Sequence, residues 1–217
     1  MISSIPCYVI NLKRRPDRLV AFQKKCPFTN VEVIYGFDSK VSENESDEEK
    51  AMYKQLNMSR PGESGCFISH FRIYKKMISE NIDFACIFED DAFFSETFLD
   101  TFSRSVNERP SNTDILYIGG RFSDSFRMRP EYYERISNTI VKYRDTIWNG
   151  PMMDRTTHAY CISKSMAEKM VESYERIKYR PIDHWIFDVL RSYKIPIYSL
   201  DPLICHSPIS NDSDIRC

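Results

Sequence analysis

Phe84-Ala85-Cys86-Ile87-Phe88 runs without polar interruption into Glu89-Asp90-Asp91. The apolar stretch is too short to display a 3.6-residue period, and its residues suit a pleated surface, so it reads as a buried strand. Both faces of that strand are apolar, which places it centrally and delivers three acids to one edge of a sheet. In an open α/β sheet that edge, beyond the carboxyl ends of the strands, is where ligands bind. Alternation along the strand sends Glu89 and Asp91 to one side and Asp90 to the other. Acids this close repel unless a positive charge sits among them or water solvates them, so the triplet fits a divalent cation site or a solvated turn. The residues that follow, Ala92-Phe93-Phe94 instead of a Gly/Pro/Ser loop, favour the cation.

The rest of the chain supplies partners for this strand. Pro6 to Leu12 is a first apolar strand that enters Lys13-Arg14-Arg15-Pro16-Asp17-Arg18 and then a helix to about Cys26. Cations at a helix N-terminus oppose the helix dipole, so this basic knot is either a solvated helix start or an anion site, and the unfavourable dipole favours the anion site. Val31 to Tyr35 is a second strand ending at Gly36-Phe37-Asp38. Residues 39–57 read as an exposed excursion without chemistry, containing a helix from Asp47 to Leu56 capped by Ser46. After the turn at Arg60-Pro61-Gly62, a helix from Glu63 to about Glu80 carries a broad apolar stripe with Ser69 and His70 inside it. On such a stripe a histidine is ordinarily a satisfied core residue.

Beyond the acids, a helix from Ser95 to Glu108 precedes a buried strand over Asp114–Gly120. Residues 121–150 lose regularity apart from a short strand at Thr139–Tyr143, and read as a lid or acceptor-binding flap. Thr157 to Ser163 is a strand feeding a helix that starts near Ser165, with Glu168 completing a capping box. Pro181 opens a helix with Asp183 in its first turn, and short strands over 195–200 and 202–206 close the chain. Strands alternating with helices give an α/β fold with one mixed sheet, mostly parallel in its first half. At 217 residues the expectation is a single domain over 1–217.

Thirty basic residues against thirty-one acidic ones give no global field to attract nucleic acid or an anionic membrane. No apolar run approaches the length of a membrane span. The first residues do not resemble a signal peptide, and the seven scattered cysteines read as buried reduced thiols, so the expected location is cytoplasmic. No paired cysteine spacing suggests zinc. The acidic strand end, the basic first loop and a late His206 instead suit a cation with a diphosphate. Magnesium and manganese accept one or two protein carboxylates and complete their shell with phosphate and water. An imidazole ligand shifts the preference towards manganese.

Gly62-Glu63-Ser64-Gly65-Cys66-Phe67-Ile68-Ser69-His70 resembles the GExGCxxSH signature of glycosyltransferase family 25, with Glu89-Asp90-Asp91 following about twenty residues later. Further blocks fall in the family's order: YVINLKRRPDRL at Tyr8–Leu19, AYCISKSMAEKM at Ala159–Met170, PIDHW at Pro181–Trp185 and SDI at Ser213–Ile215. The resemblance implies a GT-A-type fold, that is, a Rossmann-like mixed sheet flanked by helices. It also implies a UDP-sugar donor, galactose or glucose above all, a glycan or glycoprotein acceptor, and metal-assisted transfer with inversion. Carried over by position, Asp91 and Glu89 become Mn2+ or Mg2+ ligands, and analogy with GT-A enzymes adds His206. Asn11, Arg15, Arg18, Phe37, Asp38, Ser69, His70 and Asp90 become the nucleotide-sugar site, with Ser69 and His70, on the signature helix, either touching the substrate or supporting the site. Asp183 becomes the general base, its alternative being a helix N-terminal carboxylate that serves the dipole. Tyr74 and Thr156 depart from the family's frequent Trp and Gly. A nucleotide-sugar-binding module without turnover, and a nucleotidyltransferase or phosphohydrolase using the same acids, are the alternatives in function.

Overall fold

The computed structural model describes residues 5–41, 43, 45–120, 132–145 and 156–207. The chain opens with β1 (Cys7–Asn11), α1 (Pro16–Lys25) and β2 (Val31–Tyr35), followed by α2 (Asp47–Leu56) and α3 (Pro61–Ser79). Next come β3 (Phe84–Glu89), β4 (Phe93–Phe94), α4 (Phe98–Glu108), β5 (Ile115–Tyr117) and β6 (Gly119–Gly120). The second half holds β7 (Tyr133–Arg135), β8 (Ile140–Tyr143), β9 (Ala159–Ser163), α5 (Lys164–Ser173), α6 (Ile182–Ser192), β10 (Tyr198–Leu200) and β11 (Cys205–His206).

Eight strands form one mixed sheet in the order β2-β1-β3-β9-β5-β10-β8-β7. β1 pairs in parallel with β2 and β3, so Asn11, Tyr35 and Glu89 finish at the same edge. β9 runs antiparallel to β3 and β5, with Ala159 opposite Phe88, so the residues before β9 arrive at that edge too. Ala85, Cys86, Ile87 and Phe88 are fully buried, as expected of a central strand. Their alternation divides two cores. Tyr8, Ile87 and Tyr160 face α3, α5 and α6, where Phe67, Met170 and Trp185 pack. Val9, Cys86, Phe88 and Cys161 face α1 and α4, where Phe22, Phe98 and Phe102 pack. The mixed sheet flanked by helices is the α/β architecture expected from the sequence.

Local chemistry fixes the helix ends. Ser46 caps α2 by accepting from Glu49 N at 3.3 Å, and Asn57 closes that helix at φ 40°, where asparagine is tolerated. α2 is not a bare excursion: Met52 and Leu56 are buried, and Arg72 of α3 donates to Glu49 at 2.5 Å and also pairs with Glu45. α3 begins at Pro61, two residues before the expected Glu63, because proline's fixed φ suits the first helical position. α5 is capped by Ser163, whose Oγ accepts from Met166 N at 3.0 Å. The box expected at Ser165 does not form, and Ser165 Oγ instead accepts from Lys169 at 2.5 Å.

Two departures bear on the site. The strand expected over Asp114–Gly120 is divided: β5 stays in the large sheet, while β6 joins β4 and β11 in a three-stranded sheet, order β4-β11-β6. Gly119 permits this turn, since a Cβ there would lie 2.7 Å from Ala159 Cβ and 2.8 Å from His158 Nε2. Within the segment expected to be an irregular lid, 132–145 carries β7 and β8, an antiparallel pair at the end of the sheet. The rest of that segment, and Ser213–Ile215, lie outside the described residues.

Candidate active site

A cleft opens at the shared carboxyl edge, lined by Asn11, Arg14, Arg18, Phe37, Asp38 and the three acids. β3 ends at Glu89, so the alternation expected of the triplet stops there, and Asp90 and Asp91 sit in a turn. Instead of pointing apart, both face Arg18, which pairs with Asp90 and lies 3.7 Å from Asp91 Oδ2. Asn11 Nδ2 donates to Asp90 Oδ2 at 2.7 Å, and Ser207 Oγ donates to Asp91 Oδ2 at 3.0 Å. Asp91 Oδ1 and Asn11 Oδ1 are buried with no hydrogen-bond partner among the described residues. A buried acceptor left so is costly, and a hard cation would satisfy it.

The three acids differ in state. Burial lifts Asp90 to about 6 against the lowering effect of Arg18 and Asn11. Burial, with the Glu89 charge behind it, lifts Asp91 to about 6 as well. Glu89 goes the other way: burial raises its carboxyl, but hydrogen bonds from His70 and Thr157 outweigh that and hold it below the usual range. Thr157 Oγ1 donates to Glu89 Oε1 at 2.5 Å, and His70 Nε2 stands 3.3 Å from the same oxygen.

His70 is 0% exposed, and its Nδ1 lies 2.9 Å from Tyr160 Oη, which is 2.7 Å from Tyr74 Oη. One arrangement of protons satisfies every member: Tyr74 donates to Tyr160, Tyr160 to His70 Nδ1, and His70 Nε2–H to Glu89. Ser69 is also a brace, donating to Gly65 O at 2.6 Å and accepting from Phe37 N at 2.9 Å. Gly65 is needed beneath it, since a Cβ there would lie 2.8 Å from Phe37 O. The signature helix therefore holds the site's walls: Ser69 fixes Phe37, and His70 fixes Glu89.

Of the basic knot, Arg14 and Arg18 line the cleft. Arg14 Nε donates to Asp38 Oδ2 at 2.6 Å, while Arg15 forks onto Asp17 at 2.9 and 3.1 Å on its own helix. Arg14 was not singled out from the sequence; its signal was membership of the same knot, within which spacing alone does not say which arginine turns inward. Phe37 and Asp38 are buried, and Phe37 stacks on Tyr53 with ring centres 5.1 Å apart.

His206 reaches the same end through the small sheet. It pairs with Phe93, two residues beyond Asp91, and its neighbour Ser207 touches Asp91. Burial lowers its pKa, which keeps the imidazole neutral as a metal ligand requires. Glu89 is turned to His70 instead. Cys66 Sγ, His70 and Glu89 gather their ligand atoms within 4.8 Å of one another. This cluster combines an i, i+4 Cys–His pair on α3 with the strand end, a spacing that a search for paired cysteines passes over. Burial raises the Cys66 thiol, and the charges of Glu89, Asp183 and Asp91 raise it further. Asp183, on α6, is not among the residues that line the cleft, and its Oδ1 accepts from His184 N at 2.8 Å, the helix-terminal role.

The model of glycosyltransferase family 25 (LPS biosynthesis protein) matches residues 4–186. Procollagen galactosyltransferase 1-A of Xenopus laevis is 26% identical over 209 residues, covering 88% of this chain and 32% of its own length. The lipooligosaccharide biosynthesis protein lex-1 of Haemophilus influenzae is 28% identical over 157 residues, 66% of this chain and 48% of its own. The chain thus spans about a third of the procollagen enzyme and about half of lex-1. Among solved structures, a glycosyltransferase involved in glycosylating the major capsid of PBCV-1 aligns with 96% of this chain and 94% of its own at TM-score 0.49 and 7% identity. A match from residue 4 to residue 186 takes in the first strand, the signature helix, the acidic strand end and the start of α6, and on it the chain belongs to glycosyltransferase family 25.

Proposed function

We propose that this glycosyltransferase moves a hexose, galactose or glucose, from a UDP-sugar to a hydroxyl of a glycan or glycoprotein, with inversion and with a divalent cation. The observation that carries the proposal is the buried Asp91 Oδ1, unpartnered among the described residues, beside an Arg18-bound Asp90 at the ligand edge of the sheet. Asp91 and the neutral imidazole of His206 would hold Mn2+ or Mg2+, with Asp90 and Glu89 as the surrounding negative charge. When bound, such an ion supplies fixed positive charge opposite the oxygens of a departing diphosphate. Arg14 and Arg18 orient the phosphates, and the Phe37–Asp38 corner takes the base and ribose. Asp183 accepts the proton of the acceptor hydroxyl. A chain whose described cysteines are all free fits a reducing, cytoplasmic setting. Among the described residues no helix is long and apolar enough to cross a membrane.

Asp183's bond to its own helix favours a second reading, a nucleotide-sugar-binding module without turnover. Calorimetry with UDP-galactose, UDP-glucose and UDP-N-acetylglucosamine, with and without Mn2+, tests the first. The expected result is metal-dependent binding that Asp91→Ala weakens by about 100-fold, roughly 3 kcal/mol. Equal binding in a chelator would sink the metal site. Donor binding with no release of UDP by wild-type enzyme, across glycan acceptors, would favour the module.

A further inference from the structure

A second groove, about 550 Å³ in volume, lies between the α2–α3 turn and the connection from α5 to α6. Three cations line it, Arg60, Lys178 and Arg180, around the ring of Tyr179. Glu63 is the one acid among its described lining residues, at 3.6 Å from Arg60. Arg180 uses one guanidinium nitrogen on Asp188 at 2.9 Å and stays 49% exposed, and Lys178 makes no ion pair among the described residues. The groove is therefore net positive, with guanidinium donors to spare. Tyr179 packs on Tyr174 with ring centres 5.1 Å apart, which fixes its ring beside those cations.

The groove's position gives it a role. The first turns of α3 stand between the two openings: Gly62, Gly65 and Cys66 line the donor cleft, while Arg60 and Glu63 line the groove. On the opposite side Pro181 lines the groove two residues before Asp183, whose charge acts on Cys66 in the donor cleft wall. The groove thus ends two residues along the chain from Asp183, the carboxylate assigned the acceptor's proton.

We infer that this groove is the acceptor subsite and that it takes a saccharide carrying an oxyanion, a phosphate or a carboxylate. The inference rests on the proposed glycosyl transfer for its meaning, but its binding chemistry is separate from the donor's. The anion sits among Lys178, Arg180 and Arg60, a sugar ring lies against Tyr179, and the free hydroxyl points towards Asp183. A fixed aromatic ring with cations at its rim suits a sugar ring with a charged substituent better than a flexible acidic peptide.

The test is calorimetry without donor, at low salt, using galactose 6-phosphate, galacturonate, methyl β-galactoside and a hexaglutamate peptide. The two charged sugars should bind at least tenfold more tightly than the methyl glycoside, and the tighter of the two identifies the oxyanion. K178E/R180Q should abolish that difference, and an unchanged melting temperature will show that the variant folds; Lys178→Gln alone, expected to narrow the difference, serves as a second variant. Equal binding of charged and neutral sugars overturns the proposal, as does tighter binding of the peptide or a preference that survives in K178E/R180Q. A UDP-galactose titration of the wild-type chain in the same buffers separates the two readings. Its failure counts against the donor site, and the charged-sugar result judges the groove alone.

Discussion

Asp91 is at odds with its surroundings: one oxygen is met by Ser207, the other is buried and unmet among the described residues, and Glu89 lies close behind. Asp90 and Asp91 ionise near 6 in the folded chain against an ordinary value of 3.8. The folded state therefore holds protons that the unfolded state has released, and stability falls as pH rises from about 4 to about 6. Glu89, held low, contributes the opposite dependence, present above its ordinary value and lost as pH falls through its folded one. Asp91→Asn removes the charge but keeps the shape. In a chelator at pH 7 it should raise the melting temperature by about 2–4 °C, the response of a chain this size to about 1 kcal/mol. At pH 4, where the native carboxyl is already protonated, the gain should vanish. A loss of stability at pH 7 would show that the acids are not in conflict. Tyr160→Phe tests the other branch. It strips a partner from buried His70 Nδ1 and from Tyr74 Oη, and should cost about 1–3 kcal/mol in urea denaturation. Unchanged stability would mean that the chain of hydrogen bonds is not formed. The resemblance places Ser69 and His70 at the site, on the nucleotide or in support of it. How His70 braces its wall depends on Tyr160, ninety residues further on, and how Ser69 does so depends on Phe37; no local pattern carries those distances.

At the scale of elements, α3 serves three ends at once. Its first turn separates two openings, Ser69 and His70 hold the wall of the cleft, and Phe67 and Phe71 anchor it on Trp185. The helices and long strands were legible because their periods are long enough to show. The three-stranded sheet was not. Phe93–Phe94, Gly119–Gly120 and Cys205–His206 are two-residue strands, and two residues have no period. Yet that sheet is what carries His206 and Ser207 to the acids. Capping was misplaced by two residues for a related reason: Ser163 and Ser165 both precede the apolar run, and only the paired end of β9 selects Ser163. Ser163→Ala should therefore cost about 1 kcal/mol, more if its bond to Asp114 counts, whereas Ser165→Ala should stay within about 0.5 kcal/mol. Equal losses in thermal denaturation would show that the helix end frays and neither serine fixes it.

At the scale of the whole molecule, strand direction assembles the site. Parallel β1, β2 and β3 end together, antiparallel β9 starts beside them, and β11 closes over the acids, so segments from Asn11 to Ser207 converge at one edge. The charge gathered there is unbalanced, with three carboxylates set against Arg18, while Arg14 and Asp38, paired through Nε, balance each other. A divalent cation would offset the remainder, but a hard ion held by so few protein ligands needs phosphate oxygens to complete its shell. Cation and UDP should then bind as mutual requirements, and linkage demands that each tighten the other by the same factor. Thermal shifts measure this directly, since a ligand of the native state stabilises in proportion to ln(1 + [L]/Kd). Mn2+ alone and UDP alone should each raise the melting temperature slightly, and the two together by more than their sum. In Asp91→Asn the surplus should disappear while any small UDP effect through Arg14 and Arg18 remains. If UDP raises the melting temperature fully in a chelator, the arginines suffice to hold the diphosphate, and the acids must serve the sugar or the fold instead of a metal.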